Sequence, residues 1–76
     1  MAENEIKELI TSYLDNVSDI AISGKDCNFS IQIVSKDFSD MSLIDRHKKI
    51  MKLFKDFLHT GTLHAVSLDL RTPEEA

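Results

Sequence analysis

The sequence predicts an α+β fold, a two-layer sandwich in which a three-stranded sheet carries its helices on one face. Two segments repeat their apolar residues at helical spacing, and three others alternate apolar with polar residues as half-buried strands do. The outward strand positions offer Asp19, Ala21, Ser30, Gln32, Ser67 and Asp69 while the inward ones are aliphatic, so one sheet face is covered and the other is wet. With 76 residues, the chain is expected to be a single domain over residues 1–76, without internal repeat or low-complexity tract.

Ile6, Leu9, Ile10, Tyr13 and Leu14 recur at helical spacing while Glu5, Lys7, Glu8 and Ser12 fall elsewhere, which predicts an amphipathic first helix closed near Asn16. Residues 18–23 then alternate with Ile20 and Ile22 inward. Residues 24–28 read as a connecting turn, and Phe29, Ile31 and Ile33 mark the inner face of a second strand, making a β-hairpin with Cys27 in its loop. Residues 35–41 form a polar connector whose one aromatic, Phe38, is expected to tuck against the core. Ser42 suits the cap of a second helix, with Asp45 three positions on. At 100° per residue Leu43, His47, Ile50, Met51, Phe54, Phe57 and Leu58 fill one half of that helix, so His47 is expected in the core. Gly61 suits a left-handed helix end. In the last strand, alternation from Leu63 puts His64, Val66, Leu68 and Leu70 inward and Leu63, Ala65, Ser67 and Asp69 outward.

Charge is distributed unevenly. The formal net charge is −4, which argues against indiscriminate nucleic-acid binding, yet Arg46, Lys48, Lys49, Lys52 and Lys55 place five of the nine basic residues within ten positions. That stripe reads as a solvated helix face, as a phosphate-contacting face for double-stranded DNA, or as a docking face for an acidic partner. His59 lies where a protonated imidazole would favour the helix dipole. His64, at the mouth of the core, reads either as a hydrogen-bonded strand-end histidine or as a metal ligand.

Cys27 is the one cysteine, so no intrachain disulfide is available. The start of the chain is acidic and no apolar run approaches about 18 residues, so neither a signal peptide nor a membrane association is expected and the cytoplasm is the default compartment. Gly-rich phosphate loops, paired-cysteine motifs and recognisable nucleophile–base arrangements are missing, and no enzyme is expected. The wet sheet face lacks the aromatics on which bases stack, and with Gly24 and Gly61 as the only glycines there is no Gly-x-x-Gly phosphate clamp. Cys27 and His64 together offer a thiol and an imidazole of the kinds that ligate iron–sulfur clusters. Two ligands do not complete a cluster site, so any such metal must be shared with another molecule.

Phe38, followed by Arg46-His47-Lys48, then His64-Ala65-Val66 and Thr72-Pro73-Glu74-Glu75, resembles the BolA-like family, and the predicted order of helix, hairpin, helix and strand agrees. The resemblance implies a class II KH-like fold, αββααβ, and a partnership with monothiol glutaredoxins. It further implies a [2Fe-2S] cluster bridged between the two proteins, with the glutaredoxin cysteine and glutathione as the other ligands. The family's strand histidine corresponds to His64, and its loop ligand to Cys27. The expected protein alone is a monomer or weak homodimer without a cofactor, acting in iron–sulfur cluster trafficking or iron homeostasis. The different-class alternative is a small DNA-binding transcriptional regulator of stress or cell shape, using the basic helix.

Overall fold

A computed structural model describes residues 2–76. The elements run α1 (Glu3–Tyr13), β1 (Val17–Lys25), β2 (Asn28–Ser35), a 3-10 turn (Lys36–Phe38), α2 (Leu43–Thr60) and β3 (Ala65–Arg71). The sheet is ordered β1-β2-β3, with β1 antiparallel and β3 parallel to β2. This is the expected α+β arrangement, the short 3-10 turn standing where the αββααβ order has its middle helix. No helix among the described residues is long and apolar enough to cross a membrane.

The core lies between the helices and one sheet face, where Ile6, Ile10, Ile31, Ile33, Phe38, Ile50, Phe54 and Leu63 are buried together. Phe38 is fully covered, as expected of the connector's one aromatic. The connector is fixed by polar contacts: the Asn16 backbone N–H and the buried Ser35 hydroxyl both donate to Asp37 Oδ2, at 3.0 and 2.9 Å. Partial burial acts to raise the Asp37 carboxyl, but these hydrogen bonds outweigh it and hold the group below its usual range.

The hairpin is tighter than the five-residue turn expected. Lys25 pairs with Asn28, leaving Asp26 and Cys27 as a two-residue loop with φ of 54° and 65°, the left-handed pair of a type I′ turn. Gly24 belongs to β1 itself. Its φ is 145°, and an added Cβ would sit 2.1 Å from the Asn28 carbonyl oxygen, so only glycine fits this approach.

Helix α2 begins as expected, with Ser42 Oγ accepting from the Asp45 backbone N–H at 3.1 Å, and ends at Gly61 with φ 83°. Its covered face is rotated from the expected one. Arg46, Ile50 and Phe54 are buried, with Leu53 and Phe57 packed beside them, whereas Leu43, Ile44 and His47 are exposed. The expected core role of His47 is therefore overturned. Three exposed or half-exposed residues, Leu43, His47 and Met51, had widened the apolar arc toward the wrong side. The decisive residue was Arg46, which hydropathy reads as outward.

Arg46 is 5% exposed and does not join the surface stripe of lysines. Its Nε donates to the Met41 carbonyl at 3.1 Å and its Nη1 to the Leu70 carbonyl at 3.3 Å. Both terminal nitrogens meet the Glu75 carboxylate, at 2.6 and 3.2 Å. Glu75 also accepts the Thr72 backbone N–H at 2.8 Å, so Thr72-Pro73-Glu74-Glu75 forms a capped turn clasped to α2.

The second correction concerns β3. Leu63 is fully buried and His64 is exposed, the reverse of the expected alternation. Pairing starts only at Ala65; before it, the Leu63 N–H donates to the Phe57 carbonyl at 3.0 Å, turning Leu63 back under the end of α2. Strand periodicity does not apply to a residue that belongs to the helix-to-strand turn.

The clasp makes acid stability testable. Hydrogen bonds from Arg46 and from the Thr72 N–H draw the Glu75 carboxyl from 4.5 down to about 2. Its contribution is complete above about pH 4.5 and is lost as pH falls toward 2. Urea unfolding of Glu75→Gln should show a shallower loss of stability over that window than the natural chain. Parallel curves for the two proteins would remove Glu75 from the acid transition.

Candidate functional site

The parallel register of β2 and β3 begins with Asn28 opposite Ala65. One step earlier, Cys27 and His64 stand side by side: the His64 backbone N–H donates to the Cys27 carbonyl at 2.8 Å, and the Ala65 N–H reaches the same oxygen at 3.4 Å. The two candidate ligands are thus brought together by main-chain bonds at one end of the sheet. Cys27 is half-buried and His64 exposed, so both are accessible from outside.

The hairpin adds a second indication. The second position of a type I′ turn favours glycine, yet here it is cysteine at φ 65°. A non-glycine residue in that region costs on the order of 1 kcal/mol, and such outliers cluster at functional sites. The turn thus carries a thiol at a position where Gly would be more stable.

The donor set is a soft thiolate and a borderline imidazole, a pair suited to iron. Among the described residues no group of three or more His, Cys, Asp or Glu side chains could hold a metal ion. Cys27 and His64 would supply at most two ligands of a four-ligand set, and the remainder would have to come from another molecule.

The basic residues divide. Lys48, Lys52 and Lys55 are exposed on α2, while Lys49 is half-buried. The Lys49 ammonium lies 5.3 Å from the Tyr13 ring centroid and the Tyr13 hydroxyl donates to the Lys49 carbonyl at 3.0 Å, a tie between α1 and α2. Arg46 is structural, and His59 lies exposed in the last turn of α2. Sequence reasoning missed Tyr13 as the partner of a lysine and Arg46 as the clasp. Glu75, three residues after Thr72 as in a capping box, carried the only hint of the latter.

Comparison with known proteins identifies relatives of this fold. The family model described as BolA-like protein matches residues 5–75. A BolA-like protein of Dictyostelium discoideum is 35% identical across 96% of this chain and 72% of its own length. A protein of Haemophilus influenzae named DNA-binding transcriptional regulator BolA is 38% identical across 68% of this chain and half of its own. The solved structure of BolA1 from Arabidopsis thaliana superposes with a TM-score of 0.84 at 30% identity, over 96% of this chain and 93% of that one. A small α+β protein with a mixed three-stranded sheet is thereby defined more closely: the chain belongs to the BolA-like family.

Leu63 and His64, adjacent in sequence, should behave oppositely on truncation. Leu63→Ala opens a cavity in the core and should cost about 3 kcal/mol, whereas His64→Ala should leave stability within about 0.5 kcal/mol. Equilibrium urea denaturation distinguishes them, and a large loss in His64→Ala would assign that residue a structural role.

Proposed function

We propose that this chain is a binding protein that holds a [2Fe-2S] cluster jointly with a monothiol glutaredoxin, in iron–sulfur cluster trafficking or iron homeostasis. The observation that carries the reading is the main-chain bond that sets Cys27 beside His64. Its family membership supports the same reading. Cys27 would bind as the thiolate and His64 through a neutral ring nitrogen, the forms in which these side chains ligate metals. The glutaredoxin cysteine and glutathione would supply the remaining ligands, and the cluster would contribute electron storage or a transferable iron–sulfur unit. The chain's own part is positional. The type I′ turn fixes the Cys27 backbone, the β2–β3 register fixes that of His64, and the exposed imidazole leaves room for a second protein.

Co-expression with a monothiol glutaredoxin, followed by anaerobic reconstitution with iron, sulfide and glutathione, tests this assignment. The mixed complex should be coloured. His64→Ala should change its visible circular dichroism, and Cys27→Ser should shorten the lifetime of the cluster while apo-proteins still associate. Identical spectra and lifetimes for both variants would remove the pair from the ligand set.

A further inference from the structure

Leu43 and Ile44, at 72% and 67% exposure, are the most exposed large aliphatic side chains described, and they sit at the start of α2. Ile44, Met51 and Leu58 are spaced seven apart and so return to nearly the same helix azimuth. Met51 and Leu58 are half-buried, Leu58 packing in part against the chain's own core. The three make an apolar seam about 21 Å long on the flank of α2. Lys48 and Lys55 border it within about 60° at 100° per residue, and Lys52 follows. Asp45 and Asp56 lie about 100° or more from the seam and line the same groove as Met51, Leu58 and the three lysines, so lysines outnumber carboxylates along it. An apolar row flanked by a row of like charges gives an amphipathic helix both a surface to cover and a charge to answer.

We propose that this flank of α2 docks an acidic amphipathic helix of a protein partner, whose apolar row covers Ile44, Met51 and Leu58 and whose carboxylates face Lys48, Lys52 and Lys55. Charge complementarity chooses the occupant. Duplex DNA would engage the lysines and leave Ile44 and Met51 uncovered. A second copy of the chain offers acidic residues in α1 at Glu3, Glu5 and Glu8, but the apolar face of α1, Ile6 and Ile10, is already buried in its own core. The inference goes beyond the shared-cluster reading and uses neither Cys27 nor His64.

The probe is a synthetic peptide of about three heptads with Leu at the a and d positions and Glu at e and g, whose own repulsion keeps it from pairing with itself. Methyl-detected NMR of the full chain should show the Ile44 and Met51 methyl signals shifting on its addition. Both Ile44→Ser with Met51→Ser, and Lys48→Glu with Lys55→Glu, should weaken binding about tenfold or more while leaving thermal unfolding near its original midpoint. Binding should persist in Cys27→Ser with His64→Ala, which separates this surface from the cluster site. The proposal is overturned by silent methyl signals at about 1 mM peptide, or by equal binding of a peptide with Lys at e and g. It is also overturned if a short DNA duplex binds the lysines more tightly than the peptide, or if the chain alone self-associates through Ile44.

Discussion

Parallel pairing of β3 with β2 is the constraint on which the rest of the molecule depends. Parallel neighbours cannot be joined by a tight turn and need a crossover of a dozen or more residues; here residues 36–64 supply it, with α2 as its body. The crossover brings α2 across the sheet and so buries Ile50 and Phe54 against Ile31 and Ile33. It also decides which residues meet at the sheet's end. A slip of one residue in the pairing would turn every β3 side chain to the opposite face and would part His64 from Cys27.

Arg46 holds that register at its other end. A guanidinium so little exposed must have its donors occupied, and it spends them on the Met41 and Leu70 carbonyls and on Glu75. The Ala65 N–H points to β2 through Cys27, so in the alternating pattern of a parallel strand the Leu70 carbonyl faces the free edge. Arg46 therefore covers part of the edge where an unrelated strand could add, while its aliphatic stem continues the apolar surface of Ile50. One side chain closes the end of β3, anchors the C-terminal turn and sets the rotation of α2.

Patterning in the sequence was sufficient for what depends on local periodicity. The inward Ile20 and Ile22, the buried Phe29, Ile31 and Ile33, the Ser42 cap, the left-handed Gly61 and the covered Phe38 all stand where alternation, helical spacing and cap chemistry put them. Errors arose where a long-range contact outweighs the local rule. Hydropathy assigns Arg46 to water, but Glu75 and Leu70 draw it inward, and with it the helix face that would otherwise have covered His47. Alternation assigns Leu63 to the wet face, but its hydrogen bond to Phe57 places it under the helix. At the candidate site, Cys27 and His64 were legible as residue types and through the family resemblance. Their adjacency depends on the β2–β3 register, which no local pattern encodes.

Fixing two donors through the backbone has a chemical consequence of its own. The bonds that join Cys27 to His64 and Ala65 run from main-chain N–H groups to one carbonyl, leaving the sulfur and both ring nitrogens free of structural duty among the described contacts. Main-chain positions held this way are set before anything binds, so at these two residues only side-chain rotamers remain to be ordered in a complex. A small domain with a single core has limited stability to spend, and a strained left-handed cysteine is tolerable because the hairpin around it is paired without a break from Asp19 with Val34 to Lys25 with Asn28. The two-residue loop thus converts the stability of a whole strand pair into the placement of one thiol.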